Sequence, residues 1–134
     1  MSGSAEHSVA LGIVADFIKA GQAEGAIPLG RAPLTGDEHI KVTWSRDGVA
    51  ACAVYYQPEG HDFYWLDILY VKPEERRQGH ATCLLQMVEE EAQRAGLSSV
   101  QFGTMRSNDA MQKLAARHDF KPADRIDYVK QVTP

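Results

Sequence analysis

The sequence predicts an α/β (α+β) fold, a mixed central sheet with flanking helices, and three observations carry the prediction. First, Phe63-Tyr64-Trp65-Leu66-Asp67-Ile68-Leu69-Tyr70-Val71 is apolar on both alternating faces, as a strand in the middle of a covered sheet must be. Second, Ala81, Leu84, Leu85, Val88, Ala92 and Ala95 recur at helical spacing, with Gln86, Glu89, Glu90, Gln93 and Arg94 largely on the other side and Gly96 as the stop. Third, Val100-Gln101-Phe102-Gly103-Thr104 resumes strand character after that helix, which makes a strand–helix–strand unit with a right-handed crossover. A chain of 134 residues with 44% hydrophobic content is expected to form one domain over residues 1–134, with its own core.

Taken in order, Val9, Ala10, Ile13, Val14, Phe17 and Ile18 form the apolar side of a helix from about Ala5 to Ala20, closed by Gly21 and Gly25. Pro28, Gly30, Pro33 and Gly36 keep Gly25 to Asp37 as a loop. Ile40, Val42 and Trp44 alternate in a strand, Asp47-Gly48 signals a hairpin turn, and Val49 to Tyr56 is the returning strand. Gln57 to His61 then turns the chain into the buried strand. No internal repeat or low-complexity segment is present.

Net charge is −4 and the isoelectric point is about 5.7, which argues against a nucleic-acid partner and suits a cationic substrate. Asp16 and Lys19 interrupt the apolar residues near the N-terminus, so neither a signal peptide nor a membrane span is expected, and the expected location is cytoplasmic. Cys52 lies in a strand-like run and Cys83 in the helix, where both read as reduced packing residues; no metal site is expected.

The most specific segment is Val71-Lys72-Pro73-Glu74-Glu75-Arg76-Arg77-Gln78-Gly79-His80-Ala81, between the buried strand and the amphipathic helix. A turn of this kind exposes backbone N–H groups with no intrahelical partner, at the positive end of the helix dipole, and phosphate is the natural ligand. Gly79 lets the backbone approach a bulky pyrophosphate, Ala81 keeps the first helical turn slim, and Arg76 and Arg77 can add charge-assisted hydrogen bonds. Neither Gly-x-Gly-x-x-Gly nor Gly-x-x-x-x-Gly-Lys-Ser/Thr is present. The spacing Arg76-x-x-Gly79-x-Ala81, preceded by Val71-x-Pro73, resembles the acyl-CoA pyrophosphate signature of the GNAT superfamily of N-acetyltransferases, and the resemblance runs from about His39 to the C-terminus.

That resemblance implies the GNAT acyl-CoA N-acyltransferase fold, acetyl-CoA (coenzyme A) as cofactor, and a small-molecule or protein amine as acceptor. It implies a cofactor site made from Leu69, Tyr70, Val71, Arg76, Arg77, Gln78, Gly79, His80, Ala81, Thr82 and Asn108. Asn108, Met111, Leu114 and Phe120 match a short helix bordering the CoA arm, followed by a turn and a final strand over Arg125 to Val132; Asn108 also suits a helix N-cap on local grounds. Three departures stand out. The position usually held by a Tyr acid is Ala115, the Gly of the Gly-Phe turn is Asp119, and no strand pattern precedes the first helix. A sheet missing its first strand would expose apolar surface and favour a homodimer.

Acetyl transfer to an amine needs a neutral nucleophile, a donor for the carbonyl oxygen and a stable leaving thiolate. A thiol with a pKa of about 8.5 leaves tolerably without a dedicated acid. The oxyanion donor is expected to be a backbone N–H near Tyr70 or Val71. Asp67, sharing a face with Trp65, Leu69 and Val71, is the candidate base, since apolar surroundings raise a carboxyl's pKa towards a useful value; the alternative is an Asp satisfied by a neighbouring backbone group or an Arg. His61 and His118 are further candidates that read as surface histidines, and His80 counts for its backbone more than its ring. Trp44, Tyr55, Tyr56, Tyr64 and Trp65 read chiefly as sheet-packing residues. In the family the segment after the first helix covers the acceptor side, so Arg31, Asp37 and Glu38 are placed to select charge. The expected activity is direct attack of a primary amine on the thioester. Ala115 and Asp119 motivate an alternative, a non-catalytic acyl-CoA-binding module, and a third reading is an unrelated phosphate binder.

Overall fold

The computed structural model describes residues 2–132. Helix α1 (Ser2–Ala23) precedes the strands β1 (His39–Ser45), β2 (Gly48–Tyr56) and β3 (Phe63–Val71); helix α2 (His80–Arg94), the short strand β4 (Ser99–Gln101) and helix α3 (Asp109–Arg117) follow. The strands make one sheet in the order β1-β2-β3-β4, antiparallel apart from the parallel β3–β4 pair, so the sheet is mixed as expected. The chain divides between Gly103 and Thr104 into two units, the first holding α1, the sheet and α2, the second holding α3.

In the first unit each face of the sheet is covered by one helix. Val14 and Phe17 of α1, with Ile27 from the loop, pack on Cys52, Val54, Ile68 and Tyr70, and Ile40 and Val42 join that cluster. The intervening residues of β1 point the other way, to α2: Lys41 pairs with Glu91 at 3.4 Å, and Thr43 meets His80. Leu84, Leu85, Val88 and Ala92 are buried on α2, matching the spacing that predicted it. Helix α1 is longer than its apolar stripe suggests. Gly21 lies inside it, because a Cβ there would sit 2.5 Å from Ile27 Cδ1; the glycine lets Ile27 fold back against the helix. The stop comes at Gly25, in the left-handed region at φ 82°, where Ala26 N–H donates to Gly21 O at 2.8 Å.

Two register shifts alter the alternation read from the sequence. Between β1 and β2 the pairing steps from Thr43↔Ala51 to Trp44↔Val49, so Ala50 is the extra residue and Val49 joins the cluster of Cys52 and Val54, while Trp44 opposite it is 66% exposed. Between β2 and β3, Val54 pairs with Ile68 but Tyr55 pairs with Leu66, so Asp67 is the extra residue of a bulge. Ile68 therefore joins the α1 face while Leu66 lies beside Tyr55 on the α2 face. Asp67 does not simply share a face with Trp65, Leu69 and Val71; the bulge re-aims it.

The cysteines part company. Cys52 is a buried packing residue whose thiol is pushed up to about 12 by burial, whereas Cys83 is exposed on α2 and packs nothing in the core. In the second unit, Asn108 caps α3, its Oδ1 accepting from Met111 N–H at 3.1 Å. Asp119 stands at φ 63° after α3, so the backbone keeps the left-handed turn that a Gly would favour. The final strand expected over Arg125 to Val132 is not formed: Ile126, Tyr128, Val129 and Val132 are exposed, and among the described residues of this unit no other strand supplies a ladder partner.

The loop after α1 is braced from inside by Glu38. Its buried carboxylate accepts from Thr35 N–H at 2.9 Å, Thr35 Oγ1 at 3.1 Å and Gly36 N–H at 2.9 Å. Burial alone would raise this carboxyl; the hydrogen bonds from Thr35 and Gly36 more than offset it and hold the group below the usual carboxylate range. A depressed native pKa gives stability that is present above the unfolded value of about 4.3 and is lost as pH falls through the native value. Replacing Glu38 by Ala should cost about 2 kcal/mol near neutral pH, and the gap should close as pH drops below about 4, which urea denaturation over a pH series would measure.

Candidate functional site

Two features meet at the end of β3. The first is the turn into α2. Lys72 N–H still donates to Ala50 O at 2.9 Å, Pro73–Glu75 make one 3-10 turn, and Arg77 and Gly79 then take left-handed backbone, at φ 66° and 88°. Gly79 is the N-cap of α2 and no side chain caps the helix. Among the described residues nothing accepts from the N–H groups of Arg77, Gln78, Gly79, His80 and Ala81. A Cβ built on Gly79 would meet nothing within 4 Å, so the space above these donors is open. Unpaired donors, a helix N-terminus and an open concavity fit a pyrophosphate. The glycine is needed by the backbone as much as by the ligand.

The turn is held from below by a side chain that the sequence reading undervalued. His80 Nδ1 lies 2.8 Å from Thr43 Oγ1, and Nε2 lies 3.5 Å from Glu75 Oε2, with both the ring and the carboxylate largely buried. The imidazole thus ties the first residue of α2 to β1 and to the 3-10 turn. Nothing in the spacing of Thr43, Glu75 and His80 announces this contact. Gln78 is exposed at the rim, while Ala81 and Thr82 are half-buried in the first turn of α2.

Arg76 and Arg77 divide the work differently from expectation. Arg76 folds back: its Nε donates to Val71 O at 3.0 Å, its Nη2 bonds to Glu24 Oε1, and its guanidinium carbon stands 5.6 Å from the centre of the Tyr70 ring. Glu24 is also bonded by Tyr70 Oη at 3.0 Å; the Arg76 guanidinium holds the Glu24 carboxyl below its ordinary value, while burial and the Glu24 carboxylate raise the Tyr70 phenol. Arg77 is exposed and has no ion pair among the described residues, so it is the arginine free to meet an anion.

The second feature is an open strand edge. Strand β4 pairs with β3 only from Phe63 to Trp65. Because Lys72 N–H points to β2, the alternation of an antiparallel ladder turns the N–H groups of Leu69 and Val71 the other way, to the edge that β4 leaves uncovered. Tyr70 contributes differently, with its ring buried on the α1 face against Phe17. Of the two donors expected near this point, Val71 is therefore the one with the right direction. Asn108 belongs to the second unit, where its side chain is engaged as the α3 cap.

Asp67 lies on the wall of a cavity of about 590 Å³ together with Arg31, Thr35, Asp37, Glu38 and Tyr56. Its surroundings are not the apolar ones expected. Arg31 Nη2 stands 2.8 Å from Asp67 Oδ2 and Nη1 3.5 Å from Oδ1, so the alternative of an arginine partner is the one observed. His61 is exposed beside Phe63, and His118 is the C-cap of α3, far along the chain from this cavity. Among the described residues no group of three or more His, Cys, Asp or Glu side chains could hold a metal ion. No helix among them is long and apolar enough to cross a membrane.

Solved structures share the fold. An aminoglycoside acetyltransferase, meta-AAC0020, from an uncultured soil metagenomic sample and solved with sisomicin, superposes with a TM-score of 0.70 at 12% identity, over 92% of this chain and 90% of that one. The ribosomal-protein-alanine N-acetyltransferase of Brucella melitensis biovar Abortus 2308 matches with a TM-score of 0.66 at 18% identity, over 86% and 88%. The aminoglycoside acetyltransferase AAC(6')-Iy, solved with a CoA-linked bisubstrate analogue, matches with a TM-score of 0.59 at 18% identity, over 70% and 69%. No curated protein matches the sequence at a significant level. The sequence model of the acetyltransferase (GNAT) family matches residues 17–120, which include the sheet, the turn with its free donors and α3, and the chain belongs to that family.

Proposed function

We propose that this protein is an acetyl-CoA-dependent N-acetyltransferase, a single GNAT domain over residues 1–134 that transfers an acetyl group to a primary amine. The observation that carries the reading is the set of unpaired N–H groups from Arg77 to Ala81 around the left-handed Gly79, opening on space that a pyrophosphate would fill. It is supported by the CoA-linked analogue held by a protein of the same fold. Arg77 would add charge to the diphosphate, Gln78, His80, Ala81 and Thr82 would supply backbone and first-turn contacts, and the open edge at Leu69, Tyr70 and Val71 would take the extended arm. Arg76 would orient the turn from behind through Glu24 and Val71 O.

Acetyl-CoA supplies the acetyl carbonyl and a thiolate leaving group. Asp67 would take one proton from an acceptor arriving as an ammonium, and Val71 N–H would be the donor for charge developing on the carbonyl oxygen as the neutral nitrogen attacks. Loss of the thiolate and of a second proton from nitrogen would leave an amide and a thiol. With Ala115 at the position of the family Tyr, this last transfer rests on solvent or on the nitrogen itself. The exposed thiol of Cys83 suits a reducing compartment, and we place the enzyme in the cytoplasm. The uncovered edge of β1 at the border of the sheet is where a second copy would pair to give a homodimer.

A second reading, a non-catalytic acyl-CoA-binding module, is favoured by one observation: both oxygens of Asp67 face Arg31. Two measurements separate the readings. Isothermal titration should give acetyl-CoA binding to the wild type and a loss of about a hundredfold or more in Gly79→Glu, which both strains the turn and fills the cradle with a carboxylate. Thiol release with amine acceptors should fall by about a hundredfold or more in Asp67→Asn while acetyl-CoA affinity holds. Binding without thiol release from any amine would leave the module.

A further inference from the structure

We infer that Arg31 occupies, on Asp67, the place of the acceptor's ammonium, and that the cavity takes a compact cation with at least two amino groups, one of which displaces the guanidinium. The inference rests on the acetyltransferase reading and narrows its substrate.

The geometry of the pair is that of a bound ligand. The guanidinium meets Asp67 through Nη2 at 2.8 Å and Nη1 at 3.5 Å, side on, and fills the face of the carboxylate that opens to the cavity. An amine approaching those oxygens from the cavity must compete with the guanidinium for them. Little else holds it. The other hydrogen bond of Arg31 is Nε to the carbonyl of the adjacent Ala32, at 3.1 Å, and the flanking Gly30, Ala32 and Pro33 are exposed loop residues. Arg31 and Asp67 side chains remain 17% and 23% exposed, so the pair is open enough to exchange. A fixed structural bridge would be anchored at both ends; this one is anchored only on the sheet, where the bulge presents Asp67.

The rest of the wall decides what can compete. Besides the ion pair it carries Asp37 and Glu38, together with His39, and Asp37 has no cationic partner among the described residues. The Glu38 carboxylate is bonded to loop N–H and hydroxyl groups but to no cation. With one arginine against three carboxylates, an acidic acceptor is repelled. A neutral one has no charge with which to replace a guanidinium. A second ammonium facing Asp37 and Glu38 supplies the difference, and about 590 Å³ accommodates a small polyamine or diamino compound.

The experiment is a titration of spermidine into the wild type, Arg31→Gln, Arg31→Lys and Arg31→Gln/Asp67→Asn, with acetyl-CoA titrated into the same preparations. Freeing Asp67 from a partly exposed pair should tighten spermidine binding about fivefold in Arg31→Gln. Arg31→Lys, which keeps a competing cation, should stay near the wild type, and the double variant should lose the gain. Weaker spermidine binding in Arg31→Gln would overturn the inference by making Arg31 a positioning group. So would an absence of spermidine binding to all four proteins that bind acetyl-CoA, an outcome that leaves the acetyltransferase reading in place. Proteins that melt cooperatively yet bind neither compound would remove both.

Discussion

Strand β3 is paired along one edge from Trp65 to Val71 and along the other from Phe63 to Trp65 only, and the candidate site follows from that asymmetry. Where β4 stops, the N–H groups of Leu69 and Val71 face an open edge. Where β3 itself stops, the chain must turn into α2 with its donors unpaired. A fully paired sheet would satisfy these groups internally and leave nothing for a ligand. Binding here is the use made of hydrogen bonds that the fold withholds from itself.

The turn depends on anchors drawn from distant parts of the chain. His80 fastens it to Thr43 on β1, and Arg76 reaches Glu24 just beyond the end of α1. The Glu24 carboxylate is shared by Arg76 and Tyr70, so the loop after β3 and the end of α1 are held by one group. The loop that begins there carries Arg31 and is braced by Glu38. The turn and the cavity are consequently joined through the loop after α1 as well as through β3.

What the sequence revealed and what it hid have separate physical causes. Periodicity is a local property, and it placed α1, the three long strands and α2 within a few residues, because each buries a face that its spacing advertises. The free donors at Arg77 to Ala81 were legible for the same reason, as a left-handed glycine at a helix start is written in adjacent residues. Ion pairs across dozens of residues leave no such trace, so Arg76 was read as facing the ligand and Asp67 as sitting in apolar surroundings. The segment Arg125 to Val132 failed differently: its residues favour a strand, but a strand is made by its neighbour. Asp119 shows the converse, a side chain changed while the backbone conformation persists.

The bulge at Asp67 acts as a one-residue gear between two halves of a strand. Downstream of it Ile68 and Tyr70 are turned to α1; upstream, Tyr64 and Leu66 are turned to the other layer, with Tyr64 edge-on to Tyr55 at 4.9 Å between ring centres. Many side chains would fit at position 67 without disturbing that gearing. Forcing the residue into a regular ladder would not be so mild, since Asp67 would then face Tyr55 and Phe63 to Leu66 would rotate by half a turn, exchanging core for solvent along the first half of the strand. The irregular pairing, more than the side chain at position 67, is what keeps Tyr64 and Leu66 in the core.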